Sequence, residues 1–66
     1  MKWFNKRKFP INSPVYVKTK SGYSTYEYVG VVQGYPSWSE LLVKVEGSLY
    51  TFKRRECTKL PDNWGE

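Results

Sequence analysis

The chain has 66 residues, with 11 Lys or Arg against 6 Asp or Glu, so its formal net charge is +5. A chain this short buries only about 60% of the surface that it exposes when unfolded, which allows one small domain with a thin core. The chain has no histidine and one cysteine, so it lacks an internal disulfide, the usual ligands of a zinc site and the histidine base of many enzymes. We therefore expect a non-enzymatic protein without metal or cofactor.

The first predicted elements are an arm and two strands. Residues 1–14 form a basic, aromatic arm that ends in a proline-containing loop. Alternation of polar and apolar side chains over residues 15–20 predicts the first strand. After a turn, the second strand covers residues 26–35, and Gly30 within it indicates a bulge or a tight bend.

A hairpin at Glu46-Gly47 is the strongest local signal in the chain. Residues 36–39 are predicted to break the second strand, and the third strand covers residues 40–45. A two-residue turn at Glu46-Gly47 sets four apolar side chains on one face, and we expect all four in the core: Leu41, Val43, Tyr50 and Phe52.

The remaining elements are a helical turn near Arg54–Cys57, a brief last strand at residues 58–60 and a tail at residues 61–66. No long stretch has helical periodicity, so we predict an all-β fold of four to five short antiparallel strands. In so short a chain these strands favour a small barrel over residues 15–60, because closure of the sheet removes exposed strand edges.

The order of these elements resembles the SH3-like barrels, and within them the Tudor- and KOW-like small barrels. The likeness covers Pro14 to Leu60, and its pattern is Tyr26-x-Tyr28-x-Gly30-x-Val32 followed by Val43-x-Val45-x-Gly47. It implies a barrel whose first and last strands lie side by side. Proteins of this architecture bind RNA, DNA or peptides and include a few enzymes, so the resemblance alone does not select a function.

A shorter likeness lies in the arm, where Lys2-Trp3-Phe4-Asn5 resembles the first-strand signature of cold-shock domains. That family binds single-stranded nucleic acid on an aromatic platform. The platform sequence does not follow here, because Lys6-Arg7-Lys8 stands in its place. The likeness therefore ends after four residues.

Positive charge is concentrated in two segments. The net charge is +6 over residues 1–20, −2 over residues 21–52 and +1 over residues 53–66. In an SH3-like barrel, the neighbouring first and last strands would bring Lys6-Arg7-Lys8 and Lys53-Arg54-Arg55 to one side. Such a patch attracts phosphates, and the alternative is a charged surface that only keeps the domain soluble.

The three Trp, six Tyr and three Phe residues are more than so small a core can hold. Tyr35 and Trp38 lie in predicted loop sequence, where each can stack on an unpaired base with a gain of about 1–3 kcal/mol. Either side chain can instead fold back over an end of the barrel. A surface rich in Tyr and Trp is also typical of a protein interface.

These features predict a protein that binds RNA or single-stranded DNA, since no helix is available to enter a major groove. The predicted contacts are Lys6, Arg7, Lys8, Lys18, Lys20, Tyr35, Trp38, Lys53, Arg54 and Arg55. The alternative is a protein–protein interaction module for an acidic or proline-rich partner, by analogy with small phage or mobile-element regulators that bind a host complex. A homo-oligomer whose interface forms the site is a third interpretation.

The sequence also bears on the cellular location of the protein and on the state of its one cysteine. No apolar run approaches the ~20 residues that span a bilayer, no apolar signal segment follows the basic N-terminus, and a membrane-surface role of the arm is disfavoured by Pro10. One unpaired cysteine agrees with the reducing cytoplasm. Cys57 is either a thiol with a pKa lowered by its basic neighbours or a small core residue.

Overall fold

Five antiparallel strands and one 3₁₀ turn make up the domain in a computed structural model, which describes residues 7–64. The elements are β1 (Pro14–Ser21), β2 (Ser24–Ser37), β3 (Glu40–Val45), β4 (Ser48–Lys53), the 3₁₀ turn (Arg54–Glu56) and β5 (Cys57–Lys59). They form one sheet in the order β4-β3-β2-β1-β5. The prediction of an all-β domain with one short helical turn is confirmed, and the fold is a small β-barrel-like one.

β2 is long because it pairs with two strands in succession. It pairs with β1 up to Val31 and with β3 from Val31, opposite Lys44, onward. Gly30 lies at this exchange of partners, where a Cβ would approach the Lys44 carbonyl oxygen to 2.5 Å and Val43 Cγ1 to 2.7 Å. Glycine is therefore required for the close approach of β3 to β2. The register shifts of β2 against β3 lie beyond Gly30, between Val32 and Ser37.

The turn between β2 and β3 is shorter than the sequence suggests. Pro36 predicts the end of β2 at Tyr35, but the strand continues to Ser37 and only residues 38–39 form the turn. The prediction that residues 36–39 break the strand is wrong. Proline is tolerated because the ladder is irregular between Gly34 and Ser37, so residue 36 does not have to supply a ladder N–H group.

The predicted register of the β3–β4 hairpin is confirmed from Val45 opposite Ser48 to Leu41 opposite Phe52. The two turn residues have positive φ, 51° at Glu46 and 84° at Gly47. Positive φ at both central residues is the geometry of the two-residue turn that matches the twist of a hairpin.

The core lies inside the curved sheet and includes one residue from the segment before β1. Its buried members are Phe9, Val15, Val17, Val32, Leu41, Val43 and Cys57. The segment that carries Phe9 is held to β2 by backbone hydrogen bonds, from Asn12 N–H to the Val32 carbonyl (2.8 Å) and from Val32 N–H to the Ser13 carbonyl (3.0 Å). Phe9 therefore packs as part of the fold.

Tyr50 is not a core residue, and this prediction is wrong. Its side chain is 48% exposed, although it stands opposite the fully buried Val43. Its neighbour on the same face, Phe52, is partly buried against the core. Among the described residues, β4 is the outermost strand on its side of the sheet, so no further strand there covers the side chains at the start of β4.

Candidate functional site

The turn after β2 lies against the 3₁₀ turn. The last pair of the β3–β4 ladder is Glu40 with Lys53, and one step further Arg54 N–H donates to the Ser39 carbonyl at 2.7 Å. This backbone hydrogen bond therefore holds together two turns that are distant in sequence.

These two turns enclose a pocket of about 250 Å³, the Trp38 pocket, lined by Trp38, Ser39, Lys53, Arg54 and Arg55. The Arg54 guanidinium carbon lies 5.9 Å from the centre of the Trp38 ring, which is within the range of a cation–π interaction. Trp38 is 53% exposed, and Lys53 and Arg55 are exposed beside it. The pocket combines an accessible indole with three basic side chains.

The other predicted cations lie outside this pocket. Lys18 and Lys20 are exposed on β1, on either side of Thr19. Thr19 Oγ1 donates to Glu56 Oε2 at 2.9 Å, so this part of β1 contacts the 3₁₀ turn. Arg7 and Lys8 are exposed ahead of Phe9, and Lys6 lies outside the described residues, as does the cold-shock-like segment.

Tyr35 packs on the protein itself. Its ring contacts the core cluster, and its hydroxyl donates to the Phe9 carbonyl at 2.7 Å. Burial raises the pKa of Tyr35 above the ordinary tyrosine value. The geometry thus agrees with the alternative in which Tyr35 folds back over the core, and Trp38 is the aromatic residue that the pocket presents.

Cys57 is a core residue rather than a reactive thiol. It is 8% exposed, and its Sγ donates to the Lys53 carbonyl at 3.4 Å. Burial, with a smaller contribution from the charge of Glu56, raises the pKa of Cys57 to about 11. Its neutral thiol is therefore favoured at physiological pH.

Sequence reasoning missed a second pocket of about 490 Å³, the Tyr28 pocket, between β2 and the tip of the β3–β4 hairpin. It is lined by Glu27, Tyr28, Val29, Val45, Glu46, Ser48 and Tyr50. The sequence feature that points to this pocket is Tyr28, which lies two residues before Gly30 and therefore on the same face of β2. Because the hairpin register assigns Tyr50 to the core, the sequence does not predict a second exposed aromatic ring beside Tyr28.

Within residues 7–64, no group of three or more His, Cys, Asp or Glu side chains is placed to hold a metal ion. The same residues contain no helix of the length and apolarity needed to cross a bilayer.

No protein-family model, curated protein or solved structure significantly matches the chain.

Proposed function

We propose that the protein is a non-enzymatic, cytoplasmic SH3-like barrel that binds RNA or single-stranded DNA at the Trp38 pocket. The observation that carries the proposal is the Arg54 guanidinium 5.9 Å from the Trp38 ring centre, with Lys53 and Arg55 lining the same pocket. Stacking on an aromatic side chain together with cationic contacts to the backbone is how proteins bind single strands without reading a duplex.

The order of the strands supports the SH3-like part of the proposal. β1 and β5 pair antiparallel, with Val15 opposite Lys59 and Val17 opposite Cys57, so the first and last strands are neighbours. A 3₁₀ turn connects β4 to β5. Both features are those that the resemblance implies.

The indole of Trp38 supplies the stacking surface. Since Arg54 lies over the ring and about half of the side chain remains exposed, an unpaired base can stack on the exposed part while Arg54 keeps its contact. Base–aromatic stacking contributes about 1–3 kcal/mol. A base inside a duplex cannot reach this position, which favours single-stranded ligands.

In this proposal, Lys53 and Arg55 contact the phosphates on either side of the stacked base. Lys53 ends β4 and Arg55 lies in the 3₁₀ turn that follows. Both are exposed and line the pocket, so a backbone passing the pocket meets both charges. Lys18, Lys20, Arg7 and Lys8 lie outside the pocket and contribute longer-range attraction. Affinity then falls with salt, with a log–log slope of about −0.7 for each phosphate neutralised on a single strand.

The test is a titration of fluorescein-labelled single-stranded RNA and DNA pools, read by anisotropy over a salt series. Trp38→Ala should weaken binding about tenfold or more, while Trp38→Phe, which keeps a stacking surface, should retain much of it. Lys53→Ala should reduce the salt slope by about 0.7, and Lys44→Ala, which removes an exposed lysine outside the pocket, should lower the affinity less. Absence of binding to both pools at about 50 mM salt, where phosphate contacts are strong, would refute the proposal.

A further inference from the structure

The outer edge of β4 carries backbone groups that no described strand pairs with. In the β3–β4 ladder the pair beside the two-residue turn is hydrogen-bonded, and bonded pairs then alternate. The even-numbered residues of β4 therefore direct their N–H and C=O groups towards β3, and the bond from Arg54 N–H to the Ser39 carbonyl continues this alternation. The backbone groups of Leu49 and Thr51 point to the opposite side, where the sheet ends among the described residues.

The side chains of β4 leave this edge open to another strand. Leu49 is 58% exposed on the outer face of the sheet, and Tyr50 is exposed on the inner face. The strand contains no proline and no charged residue before Lys53 at its end. Proline and charged side chains are the usual means by which proteins keep an edge strand from pairing, so β4 is suited to accept a partner strand.

The two ends of this edge carry opposite charge. The turn before β4 contributes the exposed carboxylate of Glu46, and the other end of the strand is followed by basic residues, so that Lys53, Arg54 and Arg55 stand together. If a second β4 pairs antiparallel with the first, the acidic end of each strand meets the basic end of the other. A parallel pair would bring like charges together. Opposite charges on neighbouring strands stabilise a sheet and like charges destabilise it, so the charge pattern of β4 is complementary to an antiparallel copy of itself.

We infer that β4 pairs antiparallel with β4 of a second copy of this chain, with Tyr50 on the twofold axis. In this register Leu49 of each copy exchanges backbone hydrogen bonds with Thr51 of the other. The two Tyr50 side chains are neighbours on the inner face, and Glu46 of each copy lies opposite Arg54 of the other. The same surface is used by both copies, so the assembly closes at two.

The neighbouring register is less favourable. With Thr51 on the axis, pairing would need the Lys53 carbonyl, which already accepts a hydrogen bond from Cys57 Sγ at 3.4 Å. It would also place Glu46 of each copy opposite Glu56 of the other, so that two carboxylates face each other. The inference does not depend on the proposed function.

The first test is sedimentation equilibrium of the full chain from about 10 µM to about 1 mM, because two short strands bury less than the ~1,200 Å² of a stable interface and should form a weak dimer. The average mass should rise from 7.8 kDa towards twice that value and not beyond. Tyr50→Lys, which sets two like charges on the axis, should weaken the dimer at least several-fold, and Tyr50→Phe should not. Glu46→Gln should weaken it about two- to fivefold, while Glu27→Gln, whose carboxylate accepts from Tyr16 on β1, should leave it unchanged.

Amide hydrogen exchange, read residue by residue by NMR, tests the hydrogen bonds themselves. In dilute protein the N–H groups of Leu49 and Thr51 should exchange rapidly and that of Phe52 slowly, because Phe52 is bonded to β3. At high concentration Leu49 and Thr51 should become protected. Slow exchange at Phe52 also shows that a variant is folded.

Four results would overturn the inference. The first is a monomeric mass at the highest concentration, and the second is growth beyond two copies. The third is an unchanged association constant in Tyr50→Lys. The fourth is protection of the Leu49 and Thr51 amides already in dilute protein, since another segment of the same chain would then cover the edge.

Discussion

Gly30 is the position where a single methyl group tests the whole arrangement of β2 and β3. In Gly30→Ala the new Cβ would lie 2.5 Å from the Lys44 carbonyl oxygen, 2.7 Å from Val43 Cγ1 and 2.8 Å from Val45 Cγ2. The nearest of these atoms belongs to the backbone, which cannot rotate away as a side chain does. The two strands must therefore separate at the point where β2 exchanges β1 for β3.

The expected cost of Gly30→Ala is about 3 kcal/mol, at the upper end of the range for overpacking. Domains have stabilities of roughly 0.05–0.15 kcal/mol per residue, so this loss is a large part of the total for 66 residues. It corresponds to a fall in the thermal midpoint of about 12–24 °C, at 4–8 °C per kcal/mol for a small domain.

Gly34→Ala is the matched control on the same strand. Its nearest neighbours would be two side-chain atoms of Leu42 at 3.6 and 3.7 Å, which is ordinary contact. Because alanine also lowers the entropy of the unfolded chain, Gly34→Ala should be neutral or stabilise by up to about 1 kcal/mol. Both variants are compared by urea unfolding, followed by far-ultraviolet circular dichroism.

The result that would refute this reasoning is a Gly30→Ala variant within about 0.5 kcal/mol of the original protein, the usual range for a surface substitution. An equal loss in Gly30→Ala and Gly34→Ala would also refute it, because the cost would then not come from the approach of β3.

Three further predictions concern buried groups. Phe9→Ala, at a side chain that is 3% exposed, should cost about 3–5 kcal/mol and leave the domain largely unfolded in thermal melts; a small change would contradict its place in the core. Tyr35→Phe removes the hydrogen bond to the Phe9 carbonyl and should cost about 0.5–1.5 kcal/mol in urea unfolding, without weakening oligonucleotide binding; weakened binding would make Tyr35 a ligand contact. Cys57 should react slowly with a disulfide reagent in the folded state. Because folding raises the pKa of Cys57 from its ordinary value of 9.0 to about 11, the stability that its neutral thiol contributes is complete below pH 9 and falls as pH rises towards 11. Cys57→Ala should lose that part of the alkaline decline, and an unchanged decline would assign it to the tyrosines.

The β3–β4 hairpin could be predicted because its signals are local. Glu46-Gly47 determines the turn, and alternation along the flanking strands determines which side chains share a face. The same register, continued one step past Glu40 and Lys53, places Ser39 beside Arg54, as observed. The contact of the two turns at the Trp38 pocket therefore follows from the sequence once the hairpin is accepted.

What the sequence could not show depends on contacts between distant segments. The register assigns Tyr50 to the inner face, but its exposure is decided by the absence of a strand beyond β4 among the described residues. The position of Tyr35 depends on a carbonyl group at Phe9, which no pattern around Tyr35 encodes. The Tyr28 pocket arises where β2 extends past the end of β3, and this difference in length appears only when the two strands are paired.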